Sequence, residues 1–481
     1  MAKAVRSHIE EHRPVSPEAA RGAASTASWI LLAVAVAVAT ALAISTPRLI
    51  GSSGWMTGEK FLYIALIAYL GASALYIASL AIREARLTAA GVALTRGAFL
   101  MHTTAIAVRW VAAGHAPFSN IYEMVLMFSW SVVLFQLVGE WKLGLRYFGA
   151  VTIPVAALAL VLMQVLPGEI RPLVPALQST WLQIHVTLAI LSYAGLTLSF
   201  AAALLYFIKD GTSPRSFLNW TAGLVAGIYA VIVLTSVDRG LNFLLPAWDT
   251  AAGEKVMLGP KQALLVAMPG LGWPFVIAVV LTATALALSL VDTFSERAAG
   301  AALWARRFFL ASVVAQVVSL LWLAVKIESG PYFVPQVHQN FPVRFASSPF
   351  LLAGMVCGLF LSLAWEVLRL KHESIVEYLP HRDTLDTLIY RTVAVSFPLL
   401  TFMIIAGAYW ANRTWGSYWS WDPKEDWALI TWLTYAGYLH MRLTRGWRGR
   451  RAATMAIIGF AIVMFTFFGV TYLLPGLHAY V

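Results

Sequence analysis

The stretch WLQIHVTLAILSYAGLTLSFAAALLYFI, residues 181–208, contains no Asp, Glu, Lys or Arg. A helix needs about 20 mostly apolar residues to cross the hydrocarbon core of a bilayer, so this stretch reads as a membrane span. Working outward from it, similar stretches recur from residues 27–45 to residues 452–473, about 13 in all at the length a span requires. The composition agrees: 60% of the 481 residues are hydrophobic and 12% are charged, against about 25% charged in a soluble domain. The reading is an all-α polytopic membrane protein. The polar stretch 1–26 is expected to be a tail with no cleavable signal peptide.

The formal net charge of +11 would suggest nucleic acid on a soluble protein. Here it fits topology, because Lys and Arg collect in cytoplasmic loops. Placing the N-terminus in the cytoplasm puts most of the 34 basic residues inside and the C-terminus outside. Cys357 is the one cysteine and lies in an apolar run. That excludes an internal disulfide and a CxxC redox pair, so any thiol chemistry must come from a partner. The connections 238–272 and 326–349 are expected to form folded outer caps, and the mixed-charge stretch 369–391 a cytoplasmic loop with room for a surface helix. No internal repeat is evident.

Between the eleventh span (392–410) and the twelfth (427–441) runs WGSYWSWDPKE, residues 415–425. Trp410, Trp415, Trp419, Trp421, Trp427 and Trp432 crowd this region. An aromatic belt explains one or two tryptophans at a helix end. Several spaced through a loop with Gly416, Asp422 and Pro423 suit a flat apolar ligand, since each indole buries a large area and keeps an N–H for a polar edge. Histidine inside a span is costly and marks a functional candidate. His185 and His478 fall at the outer depth, and His440 roughly 20 Å below the loop at 1.5 Å per residue. Two neutral imidazoles at one depth can serve as the axial ligands of a heme iron.

The tryptophan run, continued by Tyr438-Leu-His440-Met-Arg442, resembles the WWD signature of the CcsA (ResC) family of System II cytochrome c biogenesis. Four further stretches match in order: GHAPFSNIYE (114–123), PALQSTWLQIHV (175–186), LDTLIYR (385–391) and GLHAY (476–480). The resemblance covers roughly residues 61–208 and then 385 to the end. The span reading divides the chain into the tail 1–26, six helices in 27–208, four in 209–370, the loop 371–391 and three helices in 392–481, and the resemblance makes 209–370 a four-helix insertion relative to compact members.

That resemblance implies that heme b, made in the cytoplasm, crosses the membrane and is held at the outer WWD site. There it would be joined by two thioether bonds to the CxxCH of an apocytochrome c, giving a cytochrome c heme lyase subunit. It implies His185 and His478 as outer axial ligands and His440 as a ligand during transfer, completed by a CcsB (ResB) partner. A thiol-reducing thioredoxin-like protein is a further partner it admits. The membrane would be a bacterial plasma membrane or a thylakoid-type one, with the active site on the extracytoplasmic side. Trp415, Trp419, Trp421 and Asp422 are expected at the catalytic loop, with Trp427 and Arg413 binding the porphyrin.

Asp422 is expected outside the iron shell, where it orders the loop, accepts an indole N–H or contacts the apocytochrome. Arg413, Lys424 and Arg171 are candidates for the heme propionates, with solvated outer charge as the plain alternative. His102 ranks below a partner ligand. His115, Asn120 and Glu123 read as structural support, and His338, His372, His381, His8 and His12 as ordinary polar residues. A System I CcmC- or CcmF-like heme handler, a heme-b electron-transfer subunit and a heme-free transporter remain as rivals.

Overall fold

The computed structural model of the chain describes residues 58–476 except 164, 165, 167, 169, 171, 172, 251–253, 260, 261, 295–299, 345–348 and 475. The expected first span (27–45), His8, His12, Arg171 and His478 lie outside the described residues.

Among the described residues the architecture is helical, apart from short strand pairs in two of the connections. In chain order come α1 (Glu59–Ile82), α2 (Ala85–Ala113), α3 (Ile121–Leu143), α4 (Gly149–Met163) and α5 (Thr180–Lys209). Then follow α6 (Pro214–Ser236), α7 (Gly272–Phe294), α8 (Ala301–Glu328) and α9 (Pro349–Tyr378), and last α10 (Arg382–Trp415), α11 (Pro423–Thr444) and α12 (Arg450–Met464). The last helix continues through a π turn, Phe465–Gly469, into Val470–Leu473. Ten helices among the described residues are long and apolar enough to cross a membrane. The protein is an all-α polytopic membrane protein. The stretches expected as the tenth and twelfth spans lie in α9 and α11, which are not among the ten. In α11 the first turn carries Glu425 and Asp426 and the last turn Arg442, which lowers its mean hydropathy.

The chain forms two compact units, one of residues 1–163, 167–211 and 373–481, the other of 164–166 and 212–372. The boundary at 372–373 falls beside a break in α9, where Lys371 leaves helical geometry (φ −124°, ψ 22°). Most of 371–391, expected as a loop with room for a surface helix, is helical. It comprises the end of α9 and the start of α10.

The first unit is built on close helix approach. Gly195 of α5 faces Ser396 of α10 with no room for a Cβ, and a Cβ on Gly149 would stand 2.6 Å from the Tyr76 ring. Small residues let backbones approach where lipid supplies no hydrophobic drive. At the end of these helices away from the tryptophan loop, charged ties replace apolar packing. Asp386 of α10 takes a two-pronged bond from Arg442 of α11, at 2.8 and 2.7 Å, and Gly449 N at 2.8 Å. Asp210, just beyond α5, pairs with Arg450 at 2.5 Å and Arg382 at 3.3 Å. Burial opposes ionisation of Asp210, but the hydrogen bonds from the two arginines outweigh it and hold the carboxyl below its usual range.

The second unit packs Val225 and Tyr229 of α6 against Phe275 of α7, Leu323 of α8 and Met355 of α9. Gln316 and Ser362 exchange a buried hydrogen bond within it. The two long connections fold as expected. Phe243–Pro246 pairs antiparallel with Leu265–Met268, and Tyr332–Val334 with Gln339–Phe341. A bond of 2.9 Å from Trp248 N to Pro342 O joins the two.

Candidate functional site

Gly416 ends α10. It takes the left-handed conformation (φ 79°), and its N–H donates to Asn412 O at 3.0 Å. Glycine enters that region without steric cost, which makes it a common helix stop. The chain turns through Ser417, whose hydroxyl donates to Trp419 O at 2.8 Å, and through Trp421, also left-handed at φ 56°. Asp422 then opens α11. Its carboxylate accepts from Lys424 N at 3.1 Å, while Glu425 reaches back to accept from Asp422 N at 3.3 Å. This is a capping box, with Pro423 in the first turn. Glu425 also accepts from Ser420 N at 2.7 Å. Of the roles open to Asp422, the one with a bond behind it is ordering the loop.

Beside this loop α5, α10 and α11 border an open cleft of about 140 Å³. His185, Trp410, Tyr418, Trp419, Lys424 and Glu425 face it, with Val186, Ile190 and Phe467 in its apolar wall.

His185 is fixed from α10. Its Nδ1 lies 2.7 Å from Met403 O. A carbonyl only accepts, so Nδ1 carries the proton in this contact, and in a neutral imidazole of that tautomer Nε2 is the ligating nitrogen. Gly407 makes the approach possible, since a Cβ there would stand 2.7 Å from both Nδ1 and Cε1. The imidazole also lies near-parallel to buried Trp410, 6.2 Å away at 21°. Trp410 Nε1 donates to Ala176 O at 2.9 Å. Ala176 belongs to the short 3-10 turn Pro175–Leu177, so the PALQSTWLQIHV stretch supplies both the histidine and the anchor for the indole behind it. Trp181 stacks on Tyr409 at 5.0 Å, and Tyr409 meets Tyr418 edge-on at 5.8 Å.

The chain's last described residue reaches the same place. A Cβ on Gly476 would meet Asp422 Oδ2 and stand 3.0 Å from its Cγ. The GHAPFSNIYE stretch works further back. Asn120 caps α3, and Glu123 accepts from Arg109 Nε at 2.8 Å and from Ser119 Oγ at 2.6 Å. Arg109 and Glu123 are fully buried, and the arginine also donates to Gly168 O at 2.9 Å.

Other expected residues lie apart from the cleft lining. Trp415 sits edge-on behind Trp410 at 5.0 Å, and Trp427 packs on Phe465 at 4.3 Å. Trp421 is 71% exposed, edge-on to Trp419, and Arg413 is exposed. His440 lies toward the other end of α11 with its side chain exposed. His102 is fully buried, with the Tyr69 hydroxyl 3.5 Å from Nδ1. His372 lies 3.3 Å from Thr212 O, and His381 caps α10. Gly407 and Met403 were missed by sequence reasoning, because a glycine and a methionine in an apolar helix carry no sign of what packs on them.

Lys424 differs from every other charged group here. Burial pushes its ammonium down to about 8, against the weaker pull of the Asp422 carboxylate.

With this geometry in hand, comparison with known proteins is specific. The family model described as cytochrome c assembly protein matches residues 118–478. The cytochrome c biogenesis protein CcsA of Nostoc punctiforme is 32% identical over 446 residues, 90% of this chain and 99% of its own length. The chain belongs to the CcsA cytochrome c biogenesis family. CcsA of Synechococcus sp. (strain JA-2-3B'a(2-13)) is 31% identical over 87% of this chain and 92% of its own. CcsA of Synechococcus elongatus is 33% identical over 78% and 82%. The work of this CcsA-family protein is in cytochrome c biogenesis, and the matched region begins within the GHAPFSNIYE stretch and takes in His185 and the tryptophan loop.

Proposed function

We propose that the cleft bordered by the tryptophan loop presents heme on the extracytoplasmic side for covalent attachment to apocytochrome c. The observation that carries this reading is His185, held by Met403 O and given room by Gly407, in an open, aromatic-lined cleft beside the tryptophan loop. A neutral imidazole whose other nitrogen is tied to a carbonyl is the usual form of a metal-ligating histidine. His478 is the second axial ligand in this reading. Gly476 against Asp422 supports it, because it brings the chain to the loop two residues earlier. His440, exposed toward the far end of α11, is the transfer ligand, completed by a histidine of a CcsB-type partner.

The protein's part in the chemistry is positioning, which alone can lower a barrier by several kcal/mol. Trp410 and Trp419 form flat apolar walls for the porphyrin, and the capping box fixes the loop that carries Trp419. Each apocytochrome thiol adds across one heme vinyl group. The S–C bond forms at one vinyl carbon, the thiol hydrogen ends on the other, and the C=C becomes a single bond. No oxidant or reductant is consumed in that addition.

His185→Gly and His478→Gly test the reading in the detergent-purified protein. Each is expected to lose heme and to regain it with added imidazole. If both keep full heme with an unchanged absorption spectrum, the ligand assignment is wrong. Co-purification with a CcsB-type subunit, with heme present only in the complex, would place the His440 site at that interface.

A further inference from the structure

We propose that the Lys424 ammonium is a subsite for a carboxylate of the ligand, the propionate edge of heme, on the wall of the cleft. The inference rests on the heme reading above and adds how the ring is turned within the cleft. Lys424 faces the cleft from the first turn of α11, and its Nζ makes no hydrogen bond or ion pair with any described residue.

Of the three acids beside it, Asp422 and Glu425 are already engaged, and Asp426 Oδ1 is buried without a hydrogen-bond partner of its own. Glu425 accepts from Ser420 N at 2.7 Å, Ser420 Oγ at 3.1 Å and Asp422 N at 3.3 Å. Asp422 is 4% exposed, accepts the backbone N–H of Lys424 itself, and has Gly476 pressed against its Oδ2. The remaining walls include Leu182, Val186, Ile190 and Phe467. A cation facing an apolar wall without a partner costs free energy that an arriving carboxylate returns. Arg413, the other described candidate for this task, is exposed to solvent and does not line the cleft.

The consequence is orientation. Iron ligation through His185 leaves the porphyrin free to spin about the iron–nitrogen axis. A carboxylate held at Lys424 removes that freedom and turns the vinyl-bearing half of the ring away from the first turn of α11. Both vinyls are then presented on one side of the cleft before the apocytochrome arrives.

The test compares heme with heme dimethyl ester, in which both propionates are neutral, by spectral titration of the purified full-length protein together with whatever subunit accompanies it. The unaltered protein is expected to prefer heme by about 10-fold or more, the worth of a hydrogen bond to a charged group. Lys424→Met is expected to bind both compounds alike, near the ester affinity of the unaltered protein, and Lys424→Arg to keep the preference. If Lys424→Met retains the full preference for heme, the subsite is elsewhere and the inference fails while the heme reading stands. Should Lys424→Met bind neither compound, Lys424→Arg decides: preference kept supports the subsite, preference lost overturns it. If the unaltered protein binds neither compound, the heme reading falls and the subsite with it.

Discussion

Helix α11 carries a cation near each end, and the two are held on opposite terms. At the end away from the tryptophan loop, Arg442 meets Asp386 through two bonds of 2.8 and 2.7 Å, with both side chains under 10% exposed. At the loop end, Lys424 faces a mostly apolar cleft with no ion pair among the described residues, although three carboxylates, Asp422, Glu425 and Asp426, lie within two positions of it. The first is a finished structural joint. The second is a charge awaiting a counter-charge. A paired buried cation says little about function, because breaking it costs stability and little else. An unpaired one in a concave site implies that something else completes it.

The comparison breaks most visibly at the paired end. Asp386→Ala strands the Arg442 guanidinium and the Gly449 N–H, and is expected to cost about 3 kcal/mol, the low end for a buried pair near a helix terminus. Unfolding in detergent, followed by loss of helical signal, measures it. An unchanged midpoint would mean the pair is solvated. At the cleft, Gly407→Ala places a methyl 2.7 Å from His185 Nδ1 and Cε1 and is expected to cost about 2 kcal/mol in overpacking while displacing the imidazole. Heme content should fall as it does in His185→Gly, with the helical fold intact. Full heme content would show that the ring has another resting place.

A pH titration sharpens the contrast. Lys424 titrates near 8 instead of its ordinary 10.5, so the empty cleft loses its positive charge as pH rises through about 8. Heme affinity is expected to fall by about 10-fold across that point, a smaller effect than the two substitutions on the scale of 1.4 kcal/mol per tenfold. Lys424→Met should be flat over the same range, which separates Lys424 from His185, Tyr418, Asp422 and Glu425 as the source. The sign for stability is opposite. Between about 8 and 10.5 the unfolded chain binds the proton that the folded one has released, so the ligand-free protein gains stability as pH rises. The smallest change comes from Asp422→Ala, which removes a helix cap and is expected to cost about 1 kcal/mol in the unfolding midpoint.

Much of this was readable from residue order. Apolar stretches such as 181–208 fixed the fold class, because a span needs only length and lack of charge. Trp419 and His185 were found because their residue types are out of place where they stand. The rest depended on contacts far apart in the chain. Asp386 and Arg442 are 56 positions apart, and the loop-end contrast with Lys424 appears only once that pairing is seen. Tryptophan count did not reveal which rings face the cleft. The left-handed turn at Trp421 directs the loop, leaving Trp421 exposed and Trp427 against Phe465, while Trp410 and Trp419 line the space. A backbone turn of that kind has no sequence signature in a residue other than glycine or asparagine.

The capping box also joins the loop to the helix that follows it. Glu425 accepts from Ser420 N and Asp422 N, and Asp422 accepts from Lys424 N, so the same bonds that start α11 hold the turn carrying Trp419. A chain that lost the first turn of α11 would also release the indole that lines the cleft. The helix start and the aromatic wall form or fail together.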